Sequence, residues 1–184
     1  MRLPNLVYVA GGALLLALLS GCAPSDASPP PDPAATFVAP YATDEEALAA
    51  AEEAYAGFVT ISNEILNEGG ADPERIESIT VGDFASRTLD SYEKFGREGK
   101  RSVGNAQFDS AVLQRYSAIG GNAKIITIYV CHDVTGVELV DADGNSLVKA
   151  DRQARVQLEV TFDFDPLEQK LRLSERDVWT ESEC

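Results

Sequence analysis

The hydrophobic pattern of this chain changes its period once, near Asn105, and that change limits the folds open to it. Before Asn105, apolar residues recur at three- and four-residue steps, which is typical of one face of a helix. After it, apolar and polar residues alternate, which is typical of strands. The sequence therefore predicts an α+β fold, with N-terminal helices packed on an antiparallel sheet.

A capping box at Thr43 to Glu46 predicts the start of a long helix. The Thr43 hydroxyl can accept the third amide of the helix, and the Glu46 carboxylate can reach back. Gly69-Gly70 predicts where the helix ends. Its expected apolar face consists of Leu48, Ala51, Tyr55, Phe58, Ser62 and Ile65.

Two more helical segments are expected before the change of period. Asp72-Pro73 suits a cap followed by proline at the first position of a short helical turn. A further helix is predicted from near Gly82 to Gly96, and the glycines after it indicate a loose connection. The apolar face of that helix would carry Phe84, Thr88, Tyr92 and Phe95.

The second half of the chain predicts a meander of strands. Lys124 to Cys131 is apolar on both faces, as a central strand should be, and Ala154 to Phe164 alternates cleanly between one inward and one wet face. Gly120-Gly121-Asn122 predicts a turn before the first of these strands. Lys170 to Thr180 would form the last strand of the sheet.

Two polar patterns accompany these strands. Asp141 to Asn145 predicts a hairpin turn between strands at 137–140 and 146–148. Arginines alternate with acidic residues along the last two strands, which predicts cross-strand ion pairs on a wet face. The arginines are Arg152, Arg155, Arg172 and Arg176.

A targeting signal opens the chain. Arg2 precedes an apolar run that ends in Leu19-Ser20-Gly21-Cys22, and the run is too short to span a membrane comfortably. This ending resembles the lipobox of bacterial lipoproteins. The resemblance implies that residues 1–21 are a cleaved signal and that Cys22 carries a diacylglycerol, which would hold the protein on the outer face of the cell membrane.

Residues 22–42 are predicted to form a disordered tether behind the lipid. Six of the nine prolines lie there, and proline-rich segments favour an extended chain without a core. The remaining residues, 43–184, would make one domain. Plain secretion and an uncleaved membrane helix are the alternatives to this organisation, and both fit the start of the chain less well.

Charge excludes one class of partner. The chain has 30 acidic and 15 basic residues, and loss of residues 1–21, which hold one basic residue, would change the net charge from −15 to −16. Nucleic-acid binding needs clustered basic side chains, and the longest cluster is Lys100-Arg101. The sequence therefore predicts no nucleic-acid partner, and no cofactor motif is evident.

Cys131 and Cys184 remain as a pair once Cys22 is assigned to lipid. Exported proteins meet an oxidising compartment, so we expect these two residues to form a disulfide. A metal site or a catalytic thiol is the alternative. With a single histidine in the chain, a zinc site of cysteine and histidine lacks ligands.

The order of elements over residues 43–184 resembles the NTF2-like superfamily, whose cone-shaped α+β fold packs N-terminal helices on a curved antiparallel sheet. It is similar to the domain of small actinobacterial surface lipoproteins that follow a proline-rich tether. A cystatin-like fold, with one helix wrapped by a sheet, is the alternative, and the second helical segment disfavours it. The resemblance implies a pocket between helices and sheet, in a fold that hosts both enzymes and binding modules.

Aromatic residues supply a candidate pocket. Such residues could line a site for a small apolar or sugar-like ligand, although side chains at this spacing can also be simple core. The candidates are Tyr55, Phe58, Tyr92, Phe95, Tyr116 and Trp179.

Two polar motifs give weaker indications of a function. His132, the only histidine, could act as a general base, but no second titratable partner for it can be assigned. Asp141, Asp143 and Asn145 have the opening spacing of a calcium loop, yet Ser146 and Arg152 stand where glycine and glutamate are needed, which favours a plain turn. No metal ligand set is predicted.

The function expected from the sequence is that of a lipid-anchored surface module. It would bind a small ligand or another protein of the cell envelope. An NTF2-like enzyme of isomerase or hydrolase type that uses His132 is the alternative.

Overall fold

The computed structural model describes residues 40–117, 124–180 and 184, all within one folded unit that spans residues 35–184. The predicted signal, the lipid-attachment residue Cys22, nearly all of the tether and the turn predicted at Gly120-Gly121-Asn122 lie outside the described residues. Across the ranges that are described, no helix has the length and apolarity needed to cross a membrane.

The helices predicted in the first half are confirmed. Helix α1 is Asp44–Asn67, a 3₁₀ helix is Pro73–Ser78, and helix α2 is Gly82–Arg97. Thr43 caps α1, and its hydroxyl accepts the Glu46 amide at 3.2 Å. The Glu46 carboxylate binds the amide of Ala42 at 2.8 Å rather than that of Thr43, one residue earlier than a capping box requires.

The cap predicted for the short helix is wrong in its chemistry. Asp72 precedes Pro73 as expected, but its side chain makes no capping hydrogen bond. Its backbone is instead left-handed, with φ of 45°, and its carbonyl accepts a hydrogen bond from the Arg75 side chain at 3.1 Å. The backbone therefore bends at Asp72, just after the glycines that follow α1.

The described part of the second half forms two antiparallel sheets. The larger has four strands in the order β2-β3-β5-β6, and the smaller pairs β1 with β4. The fold class is therefore α+β, with helices in the first half and antiparallel sheets in the second. The strands are β1 Arg101–Val103, β2 Gln107–Tyr116, β3 Lys124–Asp133, β4 Glu138–Val140, β5 Arg155–Asp165 and β6 Lys170–Val178.

The predicted hairpin partner of β4 is wrong. Residues 146–148 form no strand, and a single bridge joins Ser146 to Val140. β4 pairs instead with β1, in the glycine-rich segment where the sequence suggested a loose connection. Gly104 permits this pairing, because its φ is 91° and a Cβ there would lie 2.1 Å from the carbonyl oxygen of Gly136.

The core lies between α1 and one face of the four-stranded sheet. β3 is an interior strand, as predicted, and the inward face of β5 is buried. On α1, Ala47 rather than Leu48 begins the buried stripe. The buried stripe of α1 comprises Ala47, Ala51, Tyr55, Phe58, Val59, Ser62 and Ile65, and it faces Ile126, Ile128, Val130, Leu158, Val160 and Phe162 of the sheet.

Helix α2 is held where it crosses the end of α1. Gly70 has φ of 82°, and a Cβ there would lie 2.7 Å from the Tyr92 carbonyl oxygen and 2.9 Å from the Gly96 amide. Only glycine allows this approach. At its other end, α2 follows a short parallel bridge between Thr80 and Leu173 of β6. These two contacts fix Tyr92 relative to the sheet.

Candidate functional site

A cavity of about 260 Å³ lies between α1, α2 and the sheet, at the end of β3. Its walls combine apolar side chains with hydroxyl, amide, imidazole and guanidinium groups. The lining residues are Phe58, Val59, Ser62, Asn63, Leu66, Tyr92, Ser102, Ala106, His132, Val134, Val137 and Arg176.

A chain of hydrogen bonds runs along this cavity through the buried hydroxyl of Tyr55. Arg176 Nε donates to Tyr55 Oη at 3.2 Å, and Tyr55 Oη lies 3.3 Å from Nδ1 of His132. A guanidinium can only donate, so the Tyr55 oxygen accepts from it, and among the described residues Nδ1 is the acceptor within reach of the Tyr55 hydroxyl proton. This arrangement assigns the imidazole proton of neutral His132 to Nε2.

His132 is neutral at physiological pH. Burial, together with the charge of Arg176, lowers its pKa to about 4, and the nearby Asp133 opposes part of that shift. Burial also raises the pKa of Tyr55 and the pKa of Tyr92, so both hydroxyls stay protonated. Tyr92 uses its proton to donate to Ser62 Oγ at 2.9 Å.

Arg176 reaches the cavity because β6 contains a bulge. Thr161 pairs with Glu175 but the next residue, Phe162, pairs with Leu173, so Ser174 has no opposite residue on β5. This extra residue reverses the alternation beyond it. Arg176 consequently pairs with Val160, whose side chain is fully buried on the helix-facing side of the sheet.

The ion pairs predicted for the arginines of the last strands need correction. Arg176 has no carboxylate within 4 Å among the described residues and binds Tyr55 instead. Arg152 donates to the carbonyls of Val137 and Val134. Arg155 and Arg172 do form ion pairs, with Asp133 and Asp109 for the first and with Asp165 and Glu168 for the second.

The guanidinium of Arg176 also borders a second depression. Its Cζ lies 5.9 Å from the centroid of the Phe58 ring, within the range of a cation–π contact. Phe58, Tyr92 and Arg176 separate the cavity from a more open cleft of about 400 Å³, which includes Arg87 and Asp177. Among the described residues, none of those that line the cavity is acidic.

The structure brings three of the six candidate pocket residues together. Phe58 and Tyr92 line the cavity, and Tyr55 supports it from the core, where its ring contacts the Phe58 and Phe108 rings. Phe95 lies one turn beyond Tyr92 and does not line the cavity.

Tyr116 and Trp179 lie away from the cavity. Tyr116 pairs with Ile126, at the opposite end of β2 from His132, and its hydroxyl binds the backbone of Tyr41. Trp179 packs on the outer face of the sheet, with its ring 4.9 Å from that of Tyr129. The bulge at Ser174 explains the position of Trp179, because it reverses which side chains of this segment point inward.

Cys131 and His132 occupy opposite faces of β3. His132 faces the cavity, whereas Cys131 lies on the outer face with Cys184 at disulfide distance; their Cα atoms are 5.7 Å apart. This contact brings the last residue of the chain to the strand that carries His132.

The Asp141 segment forms a turn. The Asp141 carboxylate accepts from the Asn145 side chain at 3.1 Å and from the backbone amides of Asn145 at 2.8 Å and Asp143 at 2.9 Å; these bonds lower the pKa of Asp141, the Asn145 side chain most strongly. The carboxylate is thus occupied by the turn itself. Within the described ranges, no three metal-ligating side chains cluster together.

Comparison with known proteins gives a likeness of fold. No protein-family model matches the sequence, and no curated protein matches it. Among solved structures, the chain is similar to the intermembrane space region of the chloroplast protein ARC6, with a TM-score of 0.53 and 10% identity over 73% of this chain and 97% of that chain. At this identity the likeness concerns the fold alone.

Proposed function

We propose that this protein is a lipid-anchored surface module of NTF2-like fold, which binds a small ligand in the cavity between α1, α2 and the sheet. The observation that carries the proposal is the cavity itself, with polar groups of His132 and Arg176 already held in place by Tyr55. Helices packed on one face of an antiparallel sheet, with a cavity between them, support the NTF2-like assignment.

The composition of the cavity supports ligand binding over catalysis. Binding sites for small molecules combine apolar walls with a few fixed polar groups, as this one does. A general base works best with a pKa near the working pH. His132, with a pKa of about 4 and a hydroxyl rather than a carboxylate on Nδ1, is a weak base. An NTF2-like enzyme that uses His132 is therefore the less favoured function.

The proposal of a lipid anchor depends on the lipobox pattern at Cys22, and detection of the attached lipid tests it. Labelling cells with a fatty-acid probe should mark the wild-type chain and leave Cys22→Ala unmarked and released from membranes. A chain that lacks Cys131 and Cys184 is the control, because it should still be labelled. Equal labelling of Cys22→Ala and wild type would overturn the anchor.

Ligand binding is tested by filling the cavity. Val137 lines it, whereas Val112 is exposed on β2, so Val137→Phe and Val112→Phe add the same side chain in different places. Saturation-transfer NMR with toluene, benzamide and benzoate, on the full chain in detergent, should detect binding to wild type and Val112→Phe and much weaker binding to Val137→Phe. Equal binding of the probes to wild type and to Val137→Phe, or no binding of any probe, would contradict this function and favour an envelope protein as the partner.

A further inference from the structure

We propose that the cavity selects a small aromatic carboxylate, with the guanidinium of Arg176 as the group that binds the carboxylate. This inference rests on the proposed binding function and specifies the chemical class of the ligand. Four features of the cavity carry it: an unpaired cation, a second donor, an apolar wall and a matching size.

The unpaired cation is the first feature. Half-buried guanidinium groups in proteins are normally matched by carboxylates, because an unpaired charge loses hydration without compensation. Arg176 uses Nε on the neutral Tyr55 hydroxyl, and its terminal nitrogens make no hydrogen bond to another described residue. The chain has twice as many acidic as basic residues, yet none of the described residues in this lining is acidic. An anionic ligand would supply the missing counter-charge.

A second donor lies in the same cavity. Since Nδ1 of His132 accepts from Tyr55, the ring proton is on Nε2, and Nε2 has no partner among the described residues. Tyr55 Oη is within 3.3 Å of Nδ1 and 3.2 Å of Arg176 Nε, so one buried hydroxyl orients both donors. A carboxylate has two oxygens, each of which accepts hydrogen bonds from such groups.

The apolar wall and the size limit the rest of the ligand. Phe58, Val59, Leu66, Tyr92 and Val137 provide aromatic and aliphatic surface beside the donors. The cavity volume of about 260 Å³ corresponds to roughly nine groups of the size of water. An apolar cavity of roughly 150 Å³ can hold benzene, so this larger cavity has room for a single ring with one carboxylate, such as benzoate.

The charges nearest the site agree with an anionic ligand. In the adjoining cleft, the exposed Asp177 is not within ion-pair distance of Arg176, and Arg87 adds a second positive charge. Asp133, which follows His132, is bound by Arg155 at 2.6 Å and points away from the lining. The charges of more distant acidic residues have little effect on the site, because salt screens charge interactions beyond about 8 Å at physiological ionic strength.

The experiment compares ligands of one shape and different charge. Calorimetry on the full chain in detergent, with micelles alone as reference, should give benzoate an affinity at least about tenfold above that of benzamide, and no measurable binding of benzylamine. Arg176→Gln should lower the affinity for benzoate by roughly 10- to 100-fold and change that for benzamide by less than about threefold. Arg172→Gln, on the same strand but ion-paired elsewhere, should change neither affinity.

The outcomes separate this inference from the binding function. If benzamide binds as tightly as benzoate, the anionic class is wrong while the cavity remains a binding site. If no compound binds, both proposals fail. Arg176→Lys is a second variant for the case in which Arg176→Gln does not fold. It keeps the positive charge and should keep the preference for benzoate over benzamide. Loss of that preference in a folded Arg176→Lys protein would show that charge does not select the ligand.

Discussion

The hydroxyl oxygen of Tyr55 lies 3.3 Å from Nδ1 of His132, which joins the middle of α1 to the end of β3. The same oxygen accepts from Arg176 at 3.2 Å, so one buried hydroxyl connects the helix to two strands of the sheet. Both strand residues line the cavity. The binding groups of the candidate site are thus positioned by a core residue that does not itself line it.

Removal of this hydroxyl is expected to destabilise the fold. Tyr55→Phe keeps the ring but leaves Arg176 Nε and His132 Nδ1 without their partner, which costs about 1–3 kcal/mol for buried polar groups. Urea denaturation measures the loss. Tyr41→Phe is the control, since the Tyr41 hydroxyl makes no hydrogen bond to another described residue and its removal should cost less than about 0.5 kcal/mol. Equal effects of the two variants would contradict the role of Tyr55.

The pKa of His132 predicts how stability depends on pH. In the unfolded chain a histidine takes up a proton near pH 6.5, whereas in the folded chain His132 does so only near pH 4. The stabilisation of the folded state that comes from neutral His132 is fully present above about pH 6.5. It is lost as the pH falls toward 4, because the unfolded state then binds more protons than the folded state. After allowance for partial exposure, we expect about 1–2 kcal/mol over this range.

Two measurements check the pH dependence. NMR titration of the imidazole, which is unambiguous because the chain has a single histidine, should give a midpoint near pH 4. Urea denaturation of His132→Asn should show a smaller loss of stability between pH 6.5 and pH 4 than wild type does. A midpoint near 6.5, or equal slopes for the two proteins, would be inconsistent with a buried, neutral His132.

The glycines that join α1 to α2 give a prediction with a built-in control. Gly70→Ala places a Cβ 2.7 Å from the Tyr92 carbonyl in a left-handed conformation and should destabilise the protein by about 2 kcal/mol or more. Gly57, inside α1, has nothing within 4 Å of its Cβ position, so Gly57→Ala should stabilise by about 0.5–1 kcal/mol. Thermal melting of both variants tests the contact, and a harmless Gly70→Ala would refute it.

The pair Cys131 and Cys184 is expected to be oxidised in the exported protein. The crosslink spans 53 residues, and chain entropy then predicts that its removal lowers the free energy of unfolding by about 4 kcal/mol. Denaturation of Cys131→Ser with Cys184→Ser against wild type measures this loss. Intact mass with and without reductant provides the check: two free thiols in the purified protein would rule out the bond.

The elements that the sequence predicted well are those with strong local signals. Thr43 and Gly69-Gly70 mark the ends of α1, and the apolar run before Cys131 marks an interior strand. Strand β4 was expected at 137–140, but β1 and its pairing with β4 were not, because a strand of three residues shows no period and the pairing depends on a distant glycine contact at Gly104.

The site was only partly visible in the sequence because of one residue. Strict alternation along β6 from Leu171 and Leu173 places Trp179 inward and Arg176 outward, and the bulge at Ser174 reverses both. Ser174 Oγ donates a hydrogen bond to the Thr161 carbonyl at 3.2 Å. This bond forms only in the folded sheet, so the alternation of apolar and polar residues in the sequence does not reveal the bulge. Phe58 and Tyr92 were found because helical spacing has no such interruption.

The most direct test of the proposed binding function uses the only histidine as a reporter. The full chain, in detergent at pH 7, is titrated with benzamide and then benzoate while the imidazole resonances of His132 are recorded. We predict a saturable shift in wild type and in Val112→Phe that is lost in Val137→Phe, because His132 and Val137 line the same cavity. Unchanged His132 resonances with both compounds in the wild-type chain would contradict the account.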